Sequence, residues 1–359
     1  MDNLFNNIYK GKKVLVTGHT GFKGSWLISW LEELGAEVTG FSLAPNTEPS
    51  HYSLIKGSWK SVIGDIRNAS IINDTVDQIQ PEIVFHLAAQ PLVNRSYVNP
   101  LETFETNITG TINLYEAIRK VKSVKALVNV TTDKVYHNNE WIWGYRENDR
   151  LGGYDPYSTS KACVELVHDS YQKSFFKEVG IQCATARAGN VIGGGDWSED
   201  RLIPDIVKAA HEKKETPIRN PQSVRPWQHV LDPLSGYLLL GQHLLEINEK
   251  VNEGWNFGPS IEDCLSVKEI LTLFSKNWDE IKWKDLSDSK KLHETNLLRL
   301  DCSKAHQQLQ WKPIWNIDEA IKNTALWYKD FYSNRKSITT EQLHQYVTDA
   351  KNQKAIWVK

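Results

Sequence analysis

The 359-residue sequence is short of cysteine, carries no surplus of either charge and has no long apolar run. Its four cysteines, Cys163, Cys183, Cys264 and Cys302, include no C-x-x-C pair. That spacing argues against a zinc site or a disulfide framework and fits a reducing, cytoplasmic setting. A formal net charge of −2 leaves no basic field, which argues against nucleic acid or an acidic membrane surface as partner. No apolar stretch approaches the about 20 residues of a membrane span, and "MDNLFNNIYKGKK" lacks the apolar core of a signal peptide. Repeats, low-complexity segments and metal-ligand clusters are also missing.

What is present is an ordinary globular composition, 24% charged and 40% hydrophobic. The length admits one large domain or two smaller ones. Fourteen tryptophans are a high count, read here as core and oligomer packing. The first half alternates apolar runs with helical patterns. Strands are expected in "KKVLVTG", "EVTGFSL", "KSVIGD", "EIVFHLAA", "KALVNVTT" and "IQCATARAGNV", with helices between them. Continuous apolar strands alternating with helices predict a parallel sheet covered on both faces. After about residue 190 glycines, prolines and short helices take over, as in "GGGDWSEDRLIP" and "RNPQSVRPWQH". This predicts one domain over 1–189, a smaller domain over 190–335 and an extension over 336–359. Segments near 228–258 are expected to return to the first domain.

"TGHTGFKG" sets Gly18, Gly21 and Gly24 between the first strand and first helix. Glycines there permit a tight turn and let a pyrophosphate approach the free N–H groups of the helix. Alone the motif fits a plain strand–helix turn as well; opening a βαβ series, it points to a dinucleotide. The acid that commonly follows strand two to bind a ribose 2′-OH is missing. "GFSLAP" offers only Ser42, so this position does not choose between NAD and NADP. Asp65 suits an adenine edge or the N-cap of the next helix. In "YSTSK", Tyr157 and Lys161 stand four residues apart on one helix face, where an ammonium favours the tyrosinate. In "VNVTTDKVY", Thr132, Asp133 and Lys134 follow an apolar strand. Adjacent strand residues point to opposite faces, so Asp133 and Lys134 can serve one site only if the chain leaves the strand at about Thr132.

Gly18, Gly21, Gly24, Thr132, Tyr157 and Lys161, together with "HLAAQ" and "TNITGT", resemble the extended short-chain dehydrogenase/reductase family over about residues 12–330. "TTDKVY", "ARAGNVIGGGDWSEDRLIPD" and "RPWQHVLDPLSGY" resemble its nucleotide-sugar 4,6-dehydratase branch. The resemblance implies a Rossmann-like, doubly wound α/β fold with a smaller mixed α/β substrate domain. It also implies bound NAD and a homodimer or homotetramer, because helices holding Tyr157 and Asn107 commonly pair across subunits. The implied reaction is an internal redox cycle. Tyr157 removes the sugar 4-OH proton as hydride leaves C4, Thr132 orients that oxygen, Asp133 protonates the departing C6 oxygen, and hydride returns to C6. Many relatives carry a glutamate as C5 base where this chain has Lys134. Lys134 is then a base, an electrostatic stabiliser of the enolate, or a structural ion pair. The cofactor contacts implied are Gly18, Thr20, Gly21, Phe22, Lys23 and Gly24 in the turn, Asp65 and Ile66 after strand three, and Leu87, Ala88 and Ala89 after strand four. Asn107, Tyr157, Lys161 and Arg187 complete them. Substrate contacts fall on Gln90, Asn190, Arg201, Leu202, Arg225 and His229. Arg201 and Arg225 suit a pyrophosphate, although each alone reads as a solvated arginine. Trp197 and Trp227 read as packing residues before ring platforms.

Two rivals share these motifs. A nucleotide-sugar 4-epimerase needs the Thr-Tyr-Lys set but no acid/base pair, so "TDK" speaks against it. A non-catalytic NAD(P)-binding regulator has no use for a tyrosinate.

Overall fold

The computed structural model describes Met1, residues 3–287 and residues 297–358. Seven strands form one sheet in the order β11-β6-β5-β4-β1-β2-β3. They are β1 (Lys13–Thr17), β2 (Glu37–Ser42), β3 (Lys60–Ile63), β4 (Ile83–His86), β5 (Ala126–Val130), β6 (Gln182–Arg187) and β11 (Gly254–Asn256). Every pairing in this sheet is parallel. The central strands are mostly apolar, and β4 and β5 are buried at every position. That is the mark of a sheet covered on both faces.

Helices α1 (Phe22–Glu33), α2 (Ala69–Ile79), α3 (Gly110–Ile118) and α4 (Pro156–Tyr171) connect the strands. Each has a local reason to begin or end where it does. Gly35, at φ 77°, closes α1, with its N–H donating to Glu32 O and the Ala36 N–H to Leu31 O. Asn68 caps α2 by accepting from the Ser70 and Ile71 amides. Asp155 caps α4, which has Pro156 in its first turn. The helices before α3 and after α4 each run through a π turn, at Glu105–Thr109 and Gln172–Phe176.

Short paired strands make up much of the second half. They are β7 (Val191–Ile192) with β10 (Gln228–His229), β9 (Val224–Pro226) with β12 (Cys264–Ser266), and β8 (Glu215–Ile218) with β13 (Lys282–Asp285). Between them run α5 (Leu202–His211), α6 (Leu231–Leu245) and α7 (Val267–Asn277), followed by α8 (Ile317–Asn334) and α9 (Thr339–Asn352). α6 is apolar on nearly all sides and buried along most of its length, packed on β5 and β6. The chain then re-enters the large sheet as β11, beside β6. The C-terminal helix α9 lies against α1, and Trp357 beyond it stacks on Phe5 and Tyr346. Trp26, Trp30, Trp255, Trp311, Trp327 and Trp357 are all fully buried, which places them in packing.

Candidate active site

At the carboxyl ends of the large sheet's strands, where open α/β sheets hold their ligands, lies a cavity of about 1130 Å³. It exceeds the roughly 300–1,000 Å³ typical of a single small ligand. Its first wall is the glycine turn. Gly18 has φ 76°, and a Cβ there would come 2.7 Å from Ala88 N. A Cβ on Gly24 would collide with the Gly18 carbonyl. Glycine at positions 18 and 24 is therefore a steric requirement of the β1–α1 turn, and it leaves the start of α1 open to an anion.

Strand β5 ends at Val130, and Thr132 caps a single 3-10 turn over Asp133–Val135, with its hydroxyl accepting from the Lys134 amide at 3.3 Å. The chain thus leaves the strand before Asp133, and both Asp133 and Lys134 line the cavity. Thr132 Oγ1 donates to Asp133 Oδ1 at 3.0 Å, while the buried Asp133 Oδ2 has no partner among the described residues. Gly189 faces that oxygen so closely that any Cβ would overlap it.

Across the cavity, α4 presents Tyr157 and Lys161. The Tyr157 phenol hydrogen-bonds Thr132. Burial dominates its proton affinity and pushes it up to about 12, against the Thr132 bond and the Arg201 charge, which pull it down. The lowering expected from Lys161 is outweighed: desolvation is the larger effect at Tyr157. Lys161 Nζ donates to Val130 O at 3.2 Å. Burial lowers its pKa to about 8, opposed by Glu165. Lys23 is also lowered, to about 7, by burial first and then by the Arg201 charge.

Of the remaining residues read from the sequence, Thr20, Gly21, Phe22, Ile66, Leu87, Ala88, Ala89, Gln90, Asn190, Leu202 and Arg225 all line the cavity. Asp65 does too, held to Arg67 at 2.6 Å. The N-cap alternative for Asp65 falls, because Asn68 has that place. Arg201 faces the cavity while paired with Asp196 at 3.2 Å. Three residues stand behind the wall. Asn107 accepts from the Gln90 amide at 2.8 Å and donates to Ser160 Oγ at 2.8 Å, holding the wall in place. Arg187 is buried in an ion pair with Glu165 at 2.8 Å and donates to the Tyr136 hydroxyl. His229 is fully buried against Trp26 and Trp315, with its Nδ1 accepting from the Leu231 amide. Trp197 and Trp227 are buried in packing, with one edge each on the cavity.

Two positions carry structure that the sequence reading assigned no part. One is Gly189, signalled only by its glycine in "ARAGNV". The other is Glu165, four residues beyond Lys161 on the same face of α4. Its buried carboxylate accepts from Thr131, Thr185 and Arg187, tying α4 to β5 and β6.

Comparison with known proteins bears on this site. The chain is similar to the Salmonella typhimurium protein "CDP-glucose 4,6-dehydratase", 49% identical over 90% of this chain and 92% of that one. Its likeness to the Mycoplasma pneumoniae "UDP-glucose 4-epimerase" is 26%, over 89% and 98% of the two chains. Two solved structures share the fold. One is an epimerase from Methanothermobacter thermautotrophicus, TM-score 0.82 and 22% identity, covering 91% of this chain and 95% of that chain. The other is the Brucella ovis UDP-glucose 4-epimerase, TM-score 0.78 and 20% identity, covering 89% and 98%. The model of the GDP-mannose 4,6 dehydratase family matches residues 15–324. The chain belongs to that dehydratase family.

Proposed function

We propose that the protein is a CDP-glucose 4,6-dehydratase, a hydro-lyase that converts CDP-D-glucose to CDP-4-keto-6-deoxy-D-glucose and water with bound NAD. The observation that carries this reading is the turn at Asp133–Val135. It brings a carboxyl and an amine to the cavity that also holds Thr132, Tyr157 and Lys161. An epimerase has no use for that pair. The 49% identity to the Salmonella protein supports the cytidine nucleotide and the glucose substrate.

The chain's residues fit the cofactor. The glycine turn and the start of α1 suit its pyrophosphate, and Asp65 with Ile66 suits its adenine. Phe41, Ser42, Leu43, Ala44, Asn46 and Thr47, the cavity residues around the end of β2, include no cation for a 2′-phosphate, which favours NAD over NADP. Bound NAD⁺ supplies the acceptor for the C4 hydride and, once reduced, the donor that returns it to C6.

The residues then divide the proton work. Tyr157 takes the proton of the sugar 4-OH, helped by Thr132, which holds the same oxygen. The positive charge of Lys161 and of the oxidised nicotinamide opposes the burial that holds the phenol protonated. The new 4-ketone acidifies C5–H. Lys134 takes that proton or holds the enolate oxygen, and Asp133 protonates the departing C6 hydroxyl. The unpartnered Asp133 Oδ2 suits that donation. Arg201 and Arg225 neutralise the substrate diphosphate.

Exposed Val98, Leu101 and Leu166 give the α4 side an apolar outer surface, at 85%, 66% and 61% exposure, which favours a homodimer or homotetramer. No helix among the described residues is long and apolar enough to cross a membrane. A cytoplasmic enzyme fits the free cysteines, and its keto-deoxy product suits the dideoxy sugars of bacterial O-antigen lipopolysaccharide. The test is turnover of CDP-, dTDP-, GDP- and UDP-glucose with NAD and NADP in parallel. CDP-glucose with NAD is expected to give the highest kcat/KM; a preference for another nucleotide, or no 4-keto product, overturns the reading.

A further inference from the structure

The geometry points to Asp205 as the residue that selects the nucleobase, by accepting a hydrogen bond from the 4-amino group of cytosine. This rests on the functional reading above and extends it from the sugar to the far end of the nucleotide. With the hexose at Thr132 and Tyr157 and the diphosphate at Arg201 and Arg225, the base has one direction left to run. There the cavity is walled by α5 on one side and β8 on the other. Asp205, Lys208, Ala209 and Glu212 follow at i, i+3, i+4 and i+7, so one face of α5 looks into that end.

Pyrimidines differ at two edge positions that matter here. Cytosine offers an amino donor at position 4 and an acceptor at N3, whereas uracil and thymine offer a carbonyl acceptor and an N3–H donor. A carboxylate is the side chain that accepts from the cytosine amino group and repels the uracil carbonyl. Lys208 favours the opposite choice, which leaves the carboxylates as candidates. Glu212 is exposed and bound to Lys214 at 2.6 Å, Asp200 and Glu215 are exposed, and Asp196 is paired with Arg201 at 3.2 Å. Asp205 is half-buried on the cavity wall, and its carboxylate makes no hydrogen bond within the protein among the described residues. Burial raises its pKa to about 6, countered by Lys208 and reinforced by Asp200, Asp196 and Glu199. A neutral N–H donor is the partner that stabilises such a group in its charged form.

Asp205→Asn and Asp205→Leu test this against the parent protein, with kcat/KM read for CDP-glucose and UDP-glucose. The CDP/UDP ratio is expected to fall about tenfold or more in both variants, the scale of one good base contact. Asp205→Asn should in addition gain UDP-glucose activity, because an amide can donate to the uracil carbonyl. Calorimetric binding of CDP and UDP to the same NAD-loaded variants reads the ratio without turnover, should either lose catalysis. A ratio within about twofold of the parent in both variants, by turnover and by binding, overturns the assignment of Asp205. A parent protein with no CDP preference instead overturns the functional reading, so the two failures are distinguishable.

Discussion

Asp133 and Lys134 are neighbours in sequence with different surroundings. Asp133 is buried, fastened at one oxygen by Thr132 and crowded at the other by Gly189. Lys134 is half-buried at the cavity wall. The first is fixed in place, and the second is less confined. If Lys134 serves the elimination step, Lys134→Met should lower overall turnover about 10²- to 10⁴-fold, the usual range for a lost acid or base. Oxidation at C4 should survive, so the reduced cofactor accumulates in a single turnover, visible as near-ultraviolet absorbance. Loss of turnover with no such absorbance contradicts the role. Tyr157 adds a constraint of its own. Burial pushes its phenol up to about 12, so any nearby positive charge acts against that burial.

At the scale of elements, two buried carboxylates organise the helices. Glu165 clamps α4 to β5 and β6, and that clamp sets where Tyr157 and Lys161 stand relative to Thr132. Asp232, on α6, accepts from the Ile314 amide at 2.7 Å and from the Tyr346 hydroxyl at 2.8 Å, joining α6 to α9. Its Oδ2 is without a partner among the described residues. Burial raises its pKa from 3.8 to about 7, so the folded protein holds this proton more tightly than the unfolded chain. Its contribution to stability is complete below the unfolded value, falls as the pH climbs, and is gone above about 7. Buried neutral histidines act in the opposite sense over part of that range: His51, His86 and His229 are lowered to about 3. The informative quantity is therefore a difference between two proteins. Asp232→Asn keeps an acceptor oxygen, and its Tm relative to the parent should rise between pH 4 and pH 8, on the order of a few degrees. Parallel Tm profiles for variant and parent contradict this account.

Over the whole molecule, what the sequence makes legible follows from period and position. Continuous apolar runs give the strands of the parallel sheet, and the glycine spacing gives the turn, because both are local demands of backbone and burial. The turn at Thr132 was legible only as a condition: two adjacent residues can share a site if the strand stops. Arg187 and His229 show what was not legible. Each is polar and near the motifs, yet Arg187 is consumed by Glu165 and His229 by packing, and partner choice across distant segments has no local signature. The same reason hid Glu165, since an acid on a helix face reads as solvent-exposed until Thr131, just past β5, and Thr185 and Arg187 of β6 arrive. Nor do the π turns at Glu105–Thr109 and Gln172–Phe176 have a composition that sets them apart from the helices they interrupt. The cavity of about 1130 Å³ is large enough for a dinucleotide and a nucleotide sugar to lie in it together. The most direct test is turnover of CDP-glucose in D₂O with the product read by NMR. The expected product is a 4-keto-6-deoxy sugar carrying solvent deuterium at C5. A product with protium at C5, or a 4-epimer with its C6 hydroxyl intact, contradicts it.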